Sequence, residues 1–120
     1  MCDDFPNRPI ARDTDRRAAT FTSAPSIGQA ITVPRTHNWV EALAVADSTV
    51  SNFTVDVLRL EADPETGATI ATAIGQLTRT NPAGNGPFHV PPGARVRYDL
   101  SSISGSGGAV RVLHTSWAEA

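Results

Sequence analysis

Residues 53–80 read FTVDVLRLEADPETGATIATAIGQLTRT, and this stretch decides the fold. Phe53, Val55 and Val57 alternate with Thr54 and Asp56, the period-two pattern of a strand with one face toward a core. Leu58 and Leu60 then fall on the opposite parity. That predicts either a strand covered on both faces or a bulge that switches register near Val57. Asp63-Pro64-Glu65-Thr66-Gly67 predicts a hairpin turn, because Pro pre-sets φ early and Gly can take φ > 0. The partner strand over residues 68–80 carries Ile70, Ile74 and Leu77, with Gly75 as the expected bulge.

The same punctuation extends in both directions. Residues 19–22 form a first candidate strand, closed by Ser23-Ala24-Pro25-Ser26. Residues 27–33 place Ile27, Ile31 and Val33 on one side of the pleat with Gly28 as a bulge, and Pro34 cannot continue the ladder. Residues 39–46 put Trp39, Leu43 and Val45 on one face and Val40, Ala42, Ala44 and Ala46 on the other. Those alanines admit close approach of another sheet or chain. Residues 81–87 are a loop, residues 88–90 a short strand and Pro91-Pro92-Gly93 a turn. Residues 94–100 direct Val96, Tyr98 and Leu100 inward and Arg95, Arg97 and Asp99 outward. A hairpin loop is expected over residues 101–108. The last strand, residues 109–117, has Val110 and Val112 on one face and Leu113 and Trp117 on the other. About eight strands with turns roughly every 8–12 residues predict an all-β antiparallel sandwich, jelly-roll or immunoglobulin-like.

Composition bounds the rest. The 120 residues are 40% hydrophobic, with net charge -2, pI near 5.8 and mean hydropathy -0.17. That suits one domain with a core and no disulfide support. No apolar run approaches the roughly 20 residues that span a bilayer, and no apolar leader is expected at the start. All ten basic residues are arginine. With a slight negative net charge, direct nucleic-acid binding is not expected. The lone Cys2 excludes an intrachain disulfide.

Candidates for chemistry are sparse, and no cofactor or metal is expected. His37, His89 and His114 stand at no ligand spacing such as HxH or HxxxH. No GxSxG elbow is present. Asp56, Glu61, Asp63, Glu65 and Asp99 fall on outward positions or turns, as solvated carboxylates do. The glycines at 84, 86, 105, 107 and 108 lack the lysine and strand-to-helix setting of a phosphate loop. Trp39 and Trp117 fit a core or interface role, and they also form a sugar-stacking platform if they share an exposed face.

Residues 1–17, MCDDFPNRPIARDTDRR, contain little that could be buried and define an extended arm ahead of a sandwich at residues 18–120. Asp3, Asp4, Asp13 and Asp15 alternate with Arg8, Arg12, Arg16 and Arg17, a mixed pattern that suits a protein neighbour. Phe5 and Ile10 are its apolar anchors. Together with the sandwich rich in Ala, Thr and Gly and the turn-strand PPGARVRYDLSS, the chain resembles small structural proteins of tailed-phage virions, such as capsid decoration (cement) proteins. The resemblance implies a non-enzymatic subunit in the virion, assembled in the bacterial cytoplasm. Its partners would be the major capsid protein or other virion proteins and further copies of itself, with no direct nucleic acid and no membrane. Phe5, Arg8, Ile10, Arg12, Arg16, Arg17, Arg95, Arg97 and Trp117 are the expected partner-binding residues. A carbohydrate-binding or adhesion module is the alternative.

Overall fold

A computed structural model describes residues 14–118 of the chain. The hairpin read from residues 53–80 is present: β5 (Val50–Ala62) and β6 (Thr69–Thr78) pair antiparallel across the Asp63–Gly67 turn. The Asp63 carboxylate accepts the Glu65 amide at 2.8 Å, which holds its pKa below the usual carboxylate value. Gly67 closes the turn at φ 75°.

The remaining strands nest outside this hairpin. They are β1 (Thr14–Phe21), β2 (Ser26–Ile27), β3 (Ile31–Thr32), β4 (Trp39–Ala46), β7 (Phe88–His89), β8 (Arg95–Gly105) and β9 (Val110–Trp117). β4 pairs β7, β2 and β3 pair β8, and β1 pairs β9. The first half of the chain thus runs antiparallel to the second half, as one long ribbon. Pairing of β4 with β9 and of β5 with β8 rolls that ribbon into two sheets. Their orders are β1-β9-β4-β7 and β2/β3-β8-β5-β6. The nested order is that of a jelly roll, an antiparallel β-sandwich.

The inner faces follow the alternation. Phe21, Val40, Ala42, Ala44, Val110 and Val112 of the first sheet meet Phe53, Val55, Val57, Leu77, Val96, Tyr98 and Leu100 of the second. The alanine face of β4 is therefore the buried one, and its small side chains leave room for the larger Tyr98 and Phe53 of the opposite sheet. Each Val, Leu or Phe removed from water here contributes about 1.5–3 kcal/mol.

Four expectations change. The bulge falls at Val57/Leu58, but the extra residue is Ile74 on β6. From Val55 to Leu60 β5 runs in unbroken register with β8, so Leu58 and Leu60 turn to the outer face opposite Arg97 and Arg95. Ile27, Ile31 and Val33 do not share a face. Ile27 lies opposite Asp99 and Ile31 opposite Val96, one residue more than the partner strand has, so Ile27 is 73% exposed while Val33 is buried. β8 continues to Gly105, which leaves only residues 106–109 as loop. Finally, β1 begins at Thr14, so the boundary expected after residue 17 falls inside a strand.

Candidate interaction face

β9 alternates inward and outward with unusual consequences on each side. Its inward positions include His114 and Ser116, both buried. Ser116 Oγ is 2.8 Å from His37 Nδ1, and the Tyr98 hydroxyl is 2.6 Å from His114 Nδ1. Burial pushes the Tyr98 phenol up, so it stays protonated beside the imidazole. Burial pushes His114 down to about 4; Asp15 draws it back up and Arg17 adds to the fall.

Two of the three histidines are thus buried, each bonded to a hydroxyl distant in the chain, which their positions in the sequence gave no sign of. A serine bonded to an imidazole has the outline of an activated nucleophile. Here His37, His114 and Ser116 are at most 1% exposed, so no substrate reaches them. They are core hydrogen-bond partners. His89 lies elsewhere, edge-on to Trp39 with ring centres 5.0 Å apart. Among the described residues no group of three or more His, Cys, Asp or Glu is placed to hold a metal ion.

The outward positions of the first sheet form a different kind of surface. The register places residues of β1, β9 and β4 side by side in four rows. Thr14, Trp117 and Trp39 make the first row, and Arg16, Thr115 and Glu41 the second. Ala18, Leu113 and Leu43 make the third, and Thr20, Arg111 and Val45 the fourth. Leu113, Leu43 and Val45 are 36%, 40% and 46% exposed. Single exposed hydrophobes are ordinary, whereas neighbours on one face make a candidate contact surface. Trp39 and Trp117, half-buried, flank it as direct cross-strand neighbours.

The expected partner-binding residues divide. Arg16 and Trp117 share this face. Arg17 has the opposite parity on β1 and bonds Asp15 at 3.2 Å. Arg95 and Arg97 lie on the outer face of the other sheet, where Arg97 grips Asp99 through two bonds of 2.9 Å. Phe5, Arg8, Ile10 and Arg12 lie outside the described residues. Leu43, Val45 and Leu113, exposed on this face, were not among the expected partner-binding residues. Their sequence signal was present in the apolar residues on both parities of β4 and β9. The chain matches no protein-family model and no curated protein.

Proposed function

We propose that this protein is a non-enzymatic structural subunit of a virion, a capsid decoration protein that stabilises a symmetric shell. One observation carries the reading: the outward face of β1, β9 and β4 leaves Leu43, Val45 and Leu113 exposed side by side. The virion setting rests on the architectural resemblance of a sandwich with a charged leading arm. Modest contacts repeated by symmetry add up to large effects on a particle. The sealing of Ser116 and the two histidines supports a structural role for the polar core. Phe5, Arg8, Ile10 and Arg12 of the arm supply further contacts in this proposal.

Particles that encode the chain are expected to contain it at a stoichiometry set by a symmetry element of the shell, measured by quantitative mass spectrometry. Deleting residues 1–13, which leaves β1 whole, is expected to lower occupancy without unfolding the domain. Absence of the wild-type chain from purified particles contradicts the proposal.

A second reading has one observation in its favour. Trp39 and Trp117 stand as half-buried cross-strand neighbours on an outward face, with the polar His89 and Glu41 beside them, an arrangement that supports sugar stacking. Titration of tryptophan fluorescence with a panel of oligosaccharides tests it, and an unchanged spectrum across the panel removes it.

A further inference from the structure

We propose that the exposed face of β1, β9 and β4 binds the same face of a second copy, about a two-fold axis running parallel to β9. The proposal rests on reading this face as a contact surface, and it names the partner.

The four rows show why a second copy fits. On the β4 side of β9 stand the larger residues Trp39, Glu41, Leu43 and Val45. On the β1 side stand mostly small ones, Thr14, Ala18 and Thr20, with Arg16 the exception. Rotation about an axis along β9 exchanges the two sides and keeps each row at its own level. Leu43 of each copy then lies over Ala18 of the other, Trp39 over Thr14 and Val45 over Thr20. Bulk meets space in three of the four rows. In the remaining row Glu41 lies over Arg16, twice, by the same symmetry. Glu41 and Arg16 are exposed, and neither forms an ion pair among the described residues. Leu113 meets Leu113 on the axis.

Other arrangements fit less well. An axis perpendicular to the strands through Leu113 sets Glu41 over Val45 and Arg16 over Thr20, charge against apolar or neutral groups. Edge-to-edge pairing through β1 is opposed by Asp15, Arg16 and Arg17 along that strand, as charged edge strands generally resist such pairing. The chosen axis has one cost, Arg111 beside Arg111. It falls in the end row, where the exposed Arg111 side chain is long enough to reach past the end of the face to water.

The face spans roughly 14 Å by 24 Å at ordinary strand spacing and rise. That buries about 700 Å² in planar terms over both copies, below the size of a stable independent complex. A reversible dimer with Kd on the order of 10⁻⁵ to 10⁻⁴ M is therefore expected, one that matters most where a shell concentrates the copies.

Sedimentation velocity from about 10 μM to 1 mM tests this on the whole chain. Glu41→Arg and Arg16→Glu should each weaken the dimer about tenfold or more, and the two together should restore it to within about threefold. All three variants lie at exposed positions and should melt as the wild type does. In a Cys2→Ser background, Thr115→Cys, on the axis, should be joined by a short bis-maleimide that spans the roughly 10 Å between packed sheets, while Glu41→Cys, off the axis and farther from its symmetry mate, should not. A wild type that is monomeric at 1 mM overturns the proposal. So does a dimer indifferent to both charge reversals, or Glu41→Cys linking as fast as Thr115→Cys. Loss of Leu113→Asp from particles by a chain monomeric in solution overturns the second copy and leaves the contact surface standing. Retention of Leu113→Asp by a monomeric chain overturns both.

Discussion

His114 shows how one buried side chain ties folding to pH. Its imidazole sits against the Tyr98 hydroxyl, away from water, and burial lowers its pKa from 6.5 to about 4. Asp15 on β1 partly opposes that fall, and Arg17 adds to it. The unfolded chain takes up this proton near pH 6.5, whereas the folded chain holds it off until about pH 4. The stabilising difference is therefore complete above pH 6.5 and is lost as pH falls toward 4, on the order of 3 kcal/mol over the window. Urea midpoints at pH 7.5, 5.5 and 4 should fall accordingly, and His114→Gln should lose most of that slope. Equal slopes in the two proteins contradict the assignment. Tyr98→Phe removes the hydrogen-bond partner of Nδ1, and Nε2 of the same ring has no hydrogen-bond partner among the described residues. A loss of about 1–3 kcal/mol at pH 7.5 is expected from chemical denaturation. None of this was legible in the sequence. His37 and Ser116 stand 79 positions apart and meet only through closure of the ribbon.

At the scale of elements, alternation read the strands well wherever no residue was inserted. The inward and outward sets of β4, β8 and β9 stand as expected, because a strict period of two leaves one face for the core. Reading failed where one extra residue reversed parity, between Ile27 and Ile31 and again at Ile74, since alternation alone does not locate an insertion. The start of β1 was missed for another reason. As an edge strand it carries Asp15, Arg16 and Arg17 and reaches the core only at Ala19 and Phe21. Gly28 marks one insertion physically. Its amide donates to the Tyr98 carbonyl at 3.0 Å, and a Cβ there would clash with that same oxygen. Gly28→Ala should therefore loosen β2 and cost about 1–3 kcal/mol in thermal unfolding. An unchanged melting temperature contradicts this packing.

At the scale of the molecule, the nested pairing of β1 with β9, together with the pairing of β4 with β9 that rolls the ribbon into sheets, fixes which residues share the outward face of the first sheet. The sequence predicted two antiparallel layers and could not choose between topologies, because partner choice depends on long-range closure. It singled out Trp117 and Arg16, and the structure adds Leu43, Val45 and Leu113 beside them. Leu113 lies at the centre of that face, and aspartate there is compatible with a solvent-facing strand position but hostile to an apolar contact. The most direct measurement is sedimentation velocity of the wild type and Leu113→Asp at matched concentrations, with melting temperatures taken in parallel. The wild type is expected to shift toward a dimer as concentration rises through about 10⁻⁵ to 10⁻³ M, while Leu113→Asp stays monomeric and equally folded. Superimposable sedimentation of the two proteins at every concentration would contradict self-association through this face.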